Sequence, residues 1–238
     1  MQGNHKYHAI LLADSRARGF TNLDQGKFYT YDVHYVVRPG YTIRDLTADA
    51  LTLVRNISPD NTTLLIKIAA GINNLTLKIN RRRAYEIAPS TATANTVLAE
   101  LVNLKRAIKE IRPDAIVSYM TIPPVNFIQQ LSYWQEKRCL PFPIYTQEER
   151  LEFQEAHEII VSDINQNIKE LNYNEQRGIH CQTSSWHSAV LRRQRGKDRL
   201  IVSALIDGIH GSNSSKIKWH RGFHQAIQKE ISRLNANN

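Results

Sequence analysis

The stretch AILLADSRARGF, residues 9–20, decides how the chain is read. A short apolar run stops where Asp14, Ser15 and Arg16 stand together. A continuous apolar run of this length, bounded by turn formers, is the pattern of a strand buried on both faces. Asp and Ser both cap helix N-termini, so the stretch reads as a core strand turning into a helix. A second reading is chemical: a hydroxyl at the C-terminal end of a central strand, facing a helix start, is well placed for a nucleophile. The stretch alone does not choose between them, and partners elsewhere in the chain must decide.

Working outward, similar short runs rich in Ile, Leu and Val recur at 8–13, 32–37, 64–70, 115–120 and 201–206, which predicts five strands. Between them, apolar residues recur at helical intervals: Ile43, Leu46, Ala50, Val54 and Ile57, then Val97, Leu101, Leu104, Ile108 and Ile111. A longer helix is predicted from about Gln147 to Leu171 with Phe153, Ala156, Ile160, Ile164 and Leu171 on one face. A last helix is predicted over about 216–234 with Phe223, Ile227, Ile231 and Leu234 inward. Alternating strands and helices imply a parallel sheet covered on both sides, a three-layer α/β/α sandwich with a five-stranded parallel sheet. The segment TIPPVNF, 121–127, breaks a central strand because proline lacks the backbone donor, so it reads as a loop at a strand end.

The chain of 238 residues, 42% hydrophobic, is long enough for one substantial core, and a single domain over 1–238 is expected, with the polar tail NANN frayed. No apolar run approaches the roughly 20 residues of a membrane helix. The apolar segment near the N-terminus is too short for a secretory signal, so an intracellular, cytoplasmic protein is expected. Cys139 and Cys181 lack metal-binding spacing and are too few for a disulfide framework. Trp134, Trp186 and Trp219 are expected to be half-buried candidates for pocket walls.

In open α/β sheets the ligand site forms beyond the carboxyl ends of the strands. Asp14-Ser15 follows the first predicted strand, Gly40 the second, Gly71 and Asn73 the third, and Asp207 with His210 the fifth. These are the parts of a hydrolase: Ser15 as nucleophile, His210 as its general base and Asp207 as the group orienting the imidazole. The backbone N–H groups of Ser15 and Gly40 and the Asn73 amide are candidates for the oxyanion hole.

Serine, glycine, asparagine and histidine in this order, each after its own strand, resemble the four sequence blocks of the SGNH (GDSL-like) hydrolase superfamily, over nearly the whole chain. LIDGIHGSNSSKIKW resembles the family's Asp-x-x-His segment before the last helix. The family's Gly-Asp-Ser is here Ala13-Asp14-Ser15, and its Gly-x-Asn-Asp is Gly71-Ile72-Asn73-Asn74. The alanine is tolerable where the backbone has φ below zero. The resemblance implies a flavodoxin-like fold and a serine ester hydrolase working through an acyl-enzyme on short-chain or O-acetyl esters, with no cofactor.

The net charge is +9, from 31 Lys and Arg against 22 Asp and Glu, with clusters at Arg81, Arg82 and Arg83 and at Arg192, Arg193 and Arg195. Such a surplus attracts polyanions, though a solvated basic surface accounts for it equally well. The alternative function is therefore a catalytically decayed module of the same fold that binds nucleic acid or another polyanion, in a mobile-element or viral context; related-looking esterase domains occur in some non-LTR retrotransposon proteins. His220 and His224 stand at i and i+4, a spacing that can chelate a metal, but no third ligand is evident and no metal is expected.

Overall fold

Successive residues of the first strand, Lys6–Ala13 (β1), serve different cores: Ala9, Leu11 and Ala13 face one, Ile10 and Leu12 the other. This period of two is why the run is apolar throughout. The computed structural model describes residues 6–81, 84–138, 143–174, 179–181, 183, 185–194 and 197–236. After β1 come α1 (Phe20–Leu23), β2 (Asp32–Val37), α2 (Ile43–Asn56), β3 (Thr62–Ala69), α3 (Ile72–Leu75), β4 (Thr76–Arg81), β5 (Ala84–Pro89), α4 (Ala94–Ile111) and β6 (Ile116–Tyr119). Then follow α5 (Phe127–Arg138), α6 (Gln147–Leu171), β7 (Tyr173–Asn174), β8 (Ile179–His180), β9 (Leu191–Gln194), β10 (Lys197–Leu200) and α7 (Asn213–Ala236).

The central sheet has the order β2-β1-β3-β6, all parallel. Helices α2, α4 and α6 cover one face through Leu46, Val54, Val97, Leu101, Ile108, Val161, Ile164 and Ile168. On the other face α7 packs Phe223, Ile227, Ile231 and Leu234, beside the stacked pair Trp186 and Trp219. The architecture is the expected α/β/α sandwich. Both of these tryptophans are fully buried rather than half-buried, and Trp134 is half-buried. Deleting a large core side chain such as Leu11 to alanine costs about 2–5 kcal/mol.

The sheet has four strands, not five. Residues 201–206 form a 3-10 turn at Val202–Ala204, and Leu205 pairs only with Gly211 in an isolated antiparallel bridge. The physical reason lies at the β6 edge. Asn172, which caps the C-terminus of α6, accepts from the Tyr119 N–H at 2.6 Å and donates to the Tyr119 carbonyl at 3.0 Å. Asn165 does the same for Ile122, at 2.7 and 2.9 Å. Gln154 accepts from the Phe127 N–H and donates to the Val125 carbonyl. These side-chain amides offer the donor and acceptor of a peptide group, so the exposed edge is satisfied without another strand.

Other expectations shift in detail. The buried face of α6 is Arg150, His157, Val161, Ile164 and Ile168, while Ala156 is exposed. α7 starts at Asn213 and runs through the tail to Ala236, where Asn235 accepts a 2.6 Å hydrogen bond from the Tyr7 hydroxyl. The hairpins β4–β5 and β9–β10 were not among the expected strands. Cys139 lies outside the described residues, and Cys181 is a buried free thiol. Among the described residues no helix is long and apolar enough to cross a membrane.

Candidate active site

The chain leaves β1 for β2 on one side and later returns to β3 on the other, so strand order reverses at β1 and a crevice opens above its C-terminal end. Asp14 is the first residue in it. Its carboxylate accepts from the Arg16 N–H at 2.9 Å and caps the 3-10 turn Ser15–Ala17. The capping reading of this stretch holds: Asp14 shapes the turn that carries Ser15. Ala13 belongs to a strand, and Asn61 is the only described non-glycine residue with positive φ, so an alanine before Asp14 is unstrained.

Ser15 and His210, 195 positions apart, meet: Oγ lies 2.9 Å from Nε2. The opposite ring nitrogen, Nδ1, lies 2.8 Å from Asp207 Oδ2. A carboxylate only accepts, so Nδ1 carries the proton, and Nε2 presents its lone pair to the serine hydroxyl. Asp207 Oδ1 accepts from the N–H groups of Ile209 and His210, at 3.1 and 2.8 Å. Burial works against this carboxylate, but the His210 ring and those two backbone donors hold it below the usual carboxylate range. Gly208 has φ +77°, and a Cβ there would stand 2.2 Å from the Asn126 carbonyl oxygen, so the turn is closed to other residues. Asp207 and His210 thus project from a tight turn between the Leu205–Gly211 bridge partners, not from the end of a fifth strand.

Gly40 and Asn73 line the same cleft as Ser15 and His210, a space of about 450 Å³ with Pro39, Leu77, Ile87 and Ile209 as apolar walls. Asn73 donates one amide hydrogen to the Tyr41 carbonyl at 2.8 Å, which orients the group. Gly71 opens α3 at φ +136°, where a Cβ would lie 2.7 Å from Ile122 Cδ1. Asn74, at the family's aspartate position, accepts from the Ile43 N–H at the start of α2 and donates to Glu100 at 2.6 Å. An amide suits that position because it must both accept and donate.

Arg16 is the residue that the sequence reading missed. Its side chain is buried beneath the site and donates to three backbone carbonyls: Ile209 at 3.2 Å, Pro123 at 2.6 Å and Pro124 at 3.3 Å. Burial lowers its pKa to about 10, with Asp14 and Asp207 acting in the opposite direction, and it stays charged near neutrality. His157 beneath the proline loop accepts from the Val125 N–H at 3.2 Å; burial, with Arg16 nearby, pushes its pKa down to about 3. The adjacency of Arg16 to Ser15 was the available signal, but arginine is seldom buried, and sequence alone favours exposure.

Of the basic clusters, Arg192 is exposed on β9, Arg193 belongs to the same strand, and Arg81 ends β4; Arg82, Arg83 and Arg195 lie outside the described residues. His220 and His224 do have a carboxylate beside them: Asp24 Oδ1 is 2.7 Å from His220 Nε2 and 3.2 Å from His224 Nε2.

No family model matches the chain, and no curated protein sequence matches it. Solved structures do. A GDSL-like lipase from Bacteroides thetaiotaomicron superposes with a TM-score of 0.61 at 15% identity, covering 95% of this chain and 89% of that one. A carbohydrate esterase of family 3 from Talaromyces cellulolyticus superposes with a TM-score of 0.55 at 11% identity, covering 98% and 99%. An acetyl esterase, solved as a serine-to-alanine variant with acetate ion, superposes with a TM-score of 0.58 at 10% identity, covering 96% and 99%. The chain has the SGNH hydrolase-like fold.

Proposed function

We propose that this chain is a serine ester hydrolase acting through an acyl-enzyme. The observation that carries the reading is the hydrogen-bonded line Ser15–His210–Asp207, at 2.9 and 2.8 Å, in an open cleft. Ser15 Oγ attacks the ester carbonyl carbon while its proton passes to His210 Nε2. Asp207 stabilises the imidazolium that forms. The negative charge moves to the carbonyl oxygen, where the N–H groups of Ser15 and Gly40 and the second amide hydrogen of Asn73 receive it. His210 then protonates the departing alkoxide, leaving the acyl group on Ser15. Water attacks the acyl carbon, gives its proton to His210 and releases the acid, and Ser15 recovers its hydrogen.

The cleft volume of about 450 Å³ falls toward the small end of ligand sites, which supports short acyl groups such as acetyl. The names of the structural neighbours, an acetyl esterase and a carbohydrate esterase, agree with that choice. A decayed module would not need the serine, imidazole and carboxylate in line, so nucleic-acid binding is kept as an additional property and not as a replacement for hydrolysis.

The test is turnover of p-nitrophenyl acetate. Wild type hydrolyses it and loses activity on treatment with a fluorophosphonate, with the adduct on Ser15 by mass spectrometry. Ser15→Ala abolishes turnover and leaves the fold intact. Comparable turnover in that variant, or an adduct only on another serine, overturns the reading.

A further inference from the structure

We infer that Asp24, His220 and His224 form a binding site for a divalent transition-metal ion, best matched by Zn²⁺. The site is separate from the Ser15 cleft and does not depend on the esterase reading. His220 and His224 are one turn apart on α7, and Asp24 follows α1. Their facing atoms converge: Asp24 Oδ1 to His220 Nε2 is 2.7 Å, Asp24 Oδ1 to His224 Nε2 is 3.2 Å, and the two Nε2 atoms are 3.1 Å apart. The circle through these three atoms has a radius of about 1.7 Å, so an ion at the usual Zn–N and Zn–O distances of about 2.0–2.1 Å rests roughly 1 Å out of their plane. Two imidazoles and one carboxylate are a donor set suited to zinc.

The surroundings hold His224 and Asp24 in the form that binds a metal, and the Nε2 proton that His220 donates to Asp24 leaves that nitrogen when the ion enters. The Tyr31 hydroxyl is 2.9 Å from His224 Nδ1, and as acceptor of that N–H it leaves the Nε2 lone pair facing Asp24 and His220. Tyr29 and Tyr35 both donate to Asp24, at 2.8 and 2.5 Å, which keeps it an anion. Tyr35's one proton goes there and not to His224 Nε2, 3.2 Å away. Tyr29 stacks flat on His224 and Phe20 meets His220 edge-on, so both rings are locked by packing. Water takes the fourth position, and the ion ties α7 to the segment after the Ser15 turn. A second group, His8, Asp32 and His34, is less suited: Asp32 is paired with Lys6 at 2.7 Å, and its oxygen stands 3.7 Å from His8 Nδ1.

The test uses the full chain, stripped with a chelator and titrated with Zn²⁺ by calorimetry and with Co²⁺ by visible absorption. One equivalent is expected, with tetrahedral Co²⁺ bands and a rise in Tm. Asp24→Asn, nearly isosteric and checked by circular dichroism, and His224→Ala abolish this binding; His34→Ala keeps it. Tyr31→Phe weakens Zn²⁺ affinity about 10- to 100-fold, as loss of a ligand's hydrogen-bond partner does. No stoichiometric binding by wild type, unchanged binding in folded Asp24→Asn, or loss of binding in His34→Ala overturns the site.

Discussion

Arg16 donates from Nε to the carbonyl oxygen of Ile209 at 3.2 Å, so the residue after the serine holds the residue before the histidine. The same guanidinium holds Pro123 and Pro124, and through them the loop that receives Gly208 at the Asn126 N–H, 2.7 Å away. One fork of donors therefore sets the relative position of the Ser15 turn and the Asp207–His210 turn. Arg16→Lys keeps the charge but cannot reach three carbonyls at once. Its kcat for p-nitrophenyl acetate should fall by about 10², the loss expected of a misplacement of about 1 Å, with KM little changed. A lysine variant with wild-type kcat would show that the two turns hold their places without the fork.

Asn73 has one amide hydrogen committed to Tyr41, which leaves the other for an oxyanion in the cleft. Asn73→Ala should lower kcat by about 10² to 10³, as removal of one oxyanion donor does, and leave KM nearly unchanged. Steady-state kinetics on the same ester decides it. An unaltered kcat makes Asn73 a turn residue only.

His157 gives the fold a pH dependence of known sign. Burial, with Arg16 nearby, lowers its pKa to about 3 in the folded protein, against about 6.5 in the unfolded chain. Between those values the unfolded state binds the proton and the folded state does not. The contribution is complete above pH 6.5 and is lost as pH falls toward 3, at up to about 1.4 kcal/mol per pH unit. Urea unfolding of His157→Gln between pH 4 and 7 should show a shallower slope than wild type, because glutamine can still accept from Val125 but does not titrate. Parallel slopes in the two proteins would contradict this account.

Lys67 lies in the centre of β3, wholly buried, and faces α7, where its Nζ is 2.7 Å from Ser118 Oγ and 3.5 Å from Glu230 Oε1. Burial lowers the lysine's pKa, with Glu230 opposing that shift. Glu230→Ala leaves a buried cation without its carboxylate and should cost about 3–5 kcal/mol in chemical denaturation, whereas the double variant Lys67→Met, Glu230→Leu should recover most of that loss. A double variant no more stable than the single one would place the cost in packing and not in charge.

What was legible in the sequence were features with local causes. The run Ala9–Ala13 and the helical spacings in α2, α4 and α7 are apolar because both faces of the sheet are covered. Ser15 stands where a turn follows β1 at the carboxyl edge of the sheet, whereas Asp207 and His210 were expected after a fifth strand that the sheet does not have. The run 201–206 misled because apolar content does not distinguish a strand from a segment buried piecewise; Leu205 is buried, Ile206 is half exposed, and the edge it would have filled is taken by Asn172 and Asn165. The α6 face misled because Arg150 and His157 occupy inward positions, with Arg150 paired to the buried Glu86. Polar residues in a core depend on partners distant in the chain, as do Arg16 and the meeting of Asp24 with His220.

The β9–β10 hairpin places Arg192 directly opposite Arg199, and Arg193 opposite Asp198. The net charge of +9 draws polyanions toward the molecule. If this hairpin grips nucleic acid, replacing Arg192, Arg193 and Arg195 together by glutamine should weaken binding to a DNA duplex. It should also reduce the slope of log affinity against log salt by roughly 3, since each lost phosphate contact removes about 0.9. Turnover of p-nitrophenyl acetate should be unchanged, because the proposed chemistry rests on Ser15, His210 and Asp207. Fluorescence anisotropy across a salt series measures both quantities. Wild-type binding that is absent, or insensitive to salt, would make the hairpin a solvated surface and leave hydrolysis as the chain's one proposed activity.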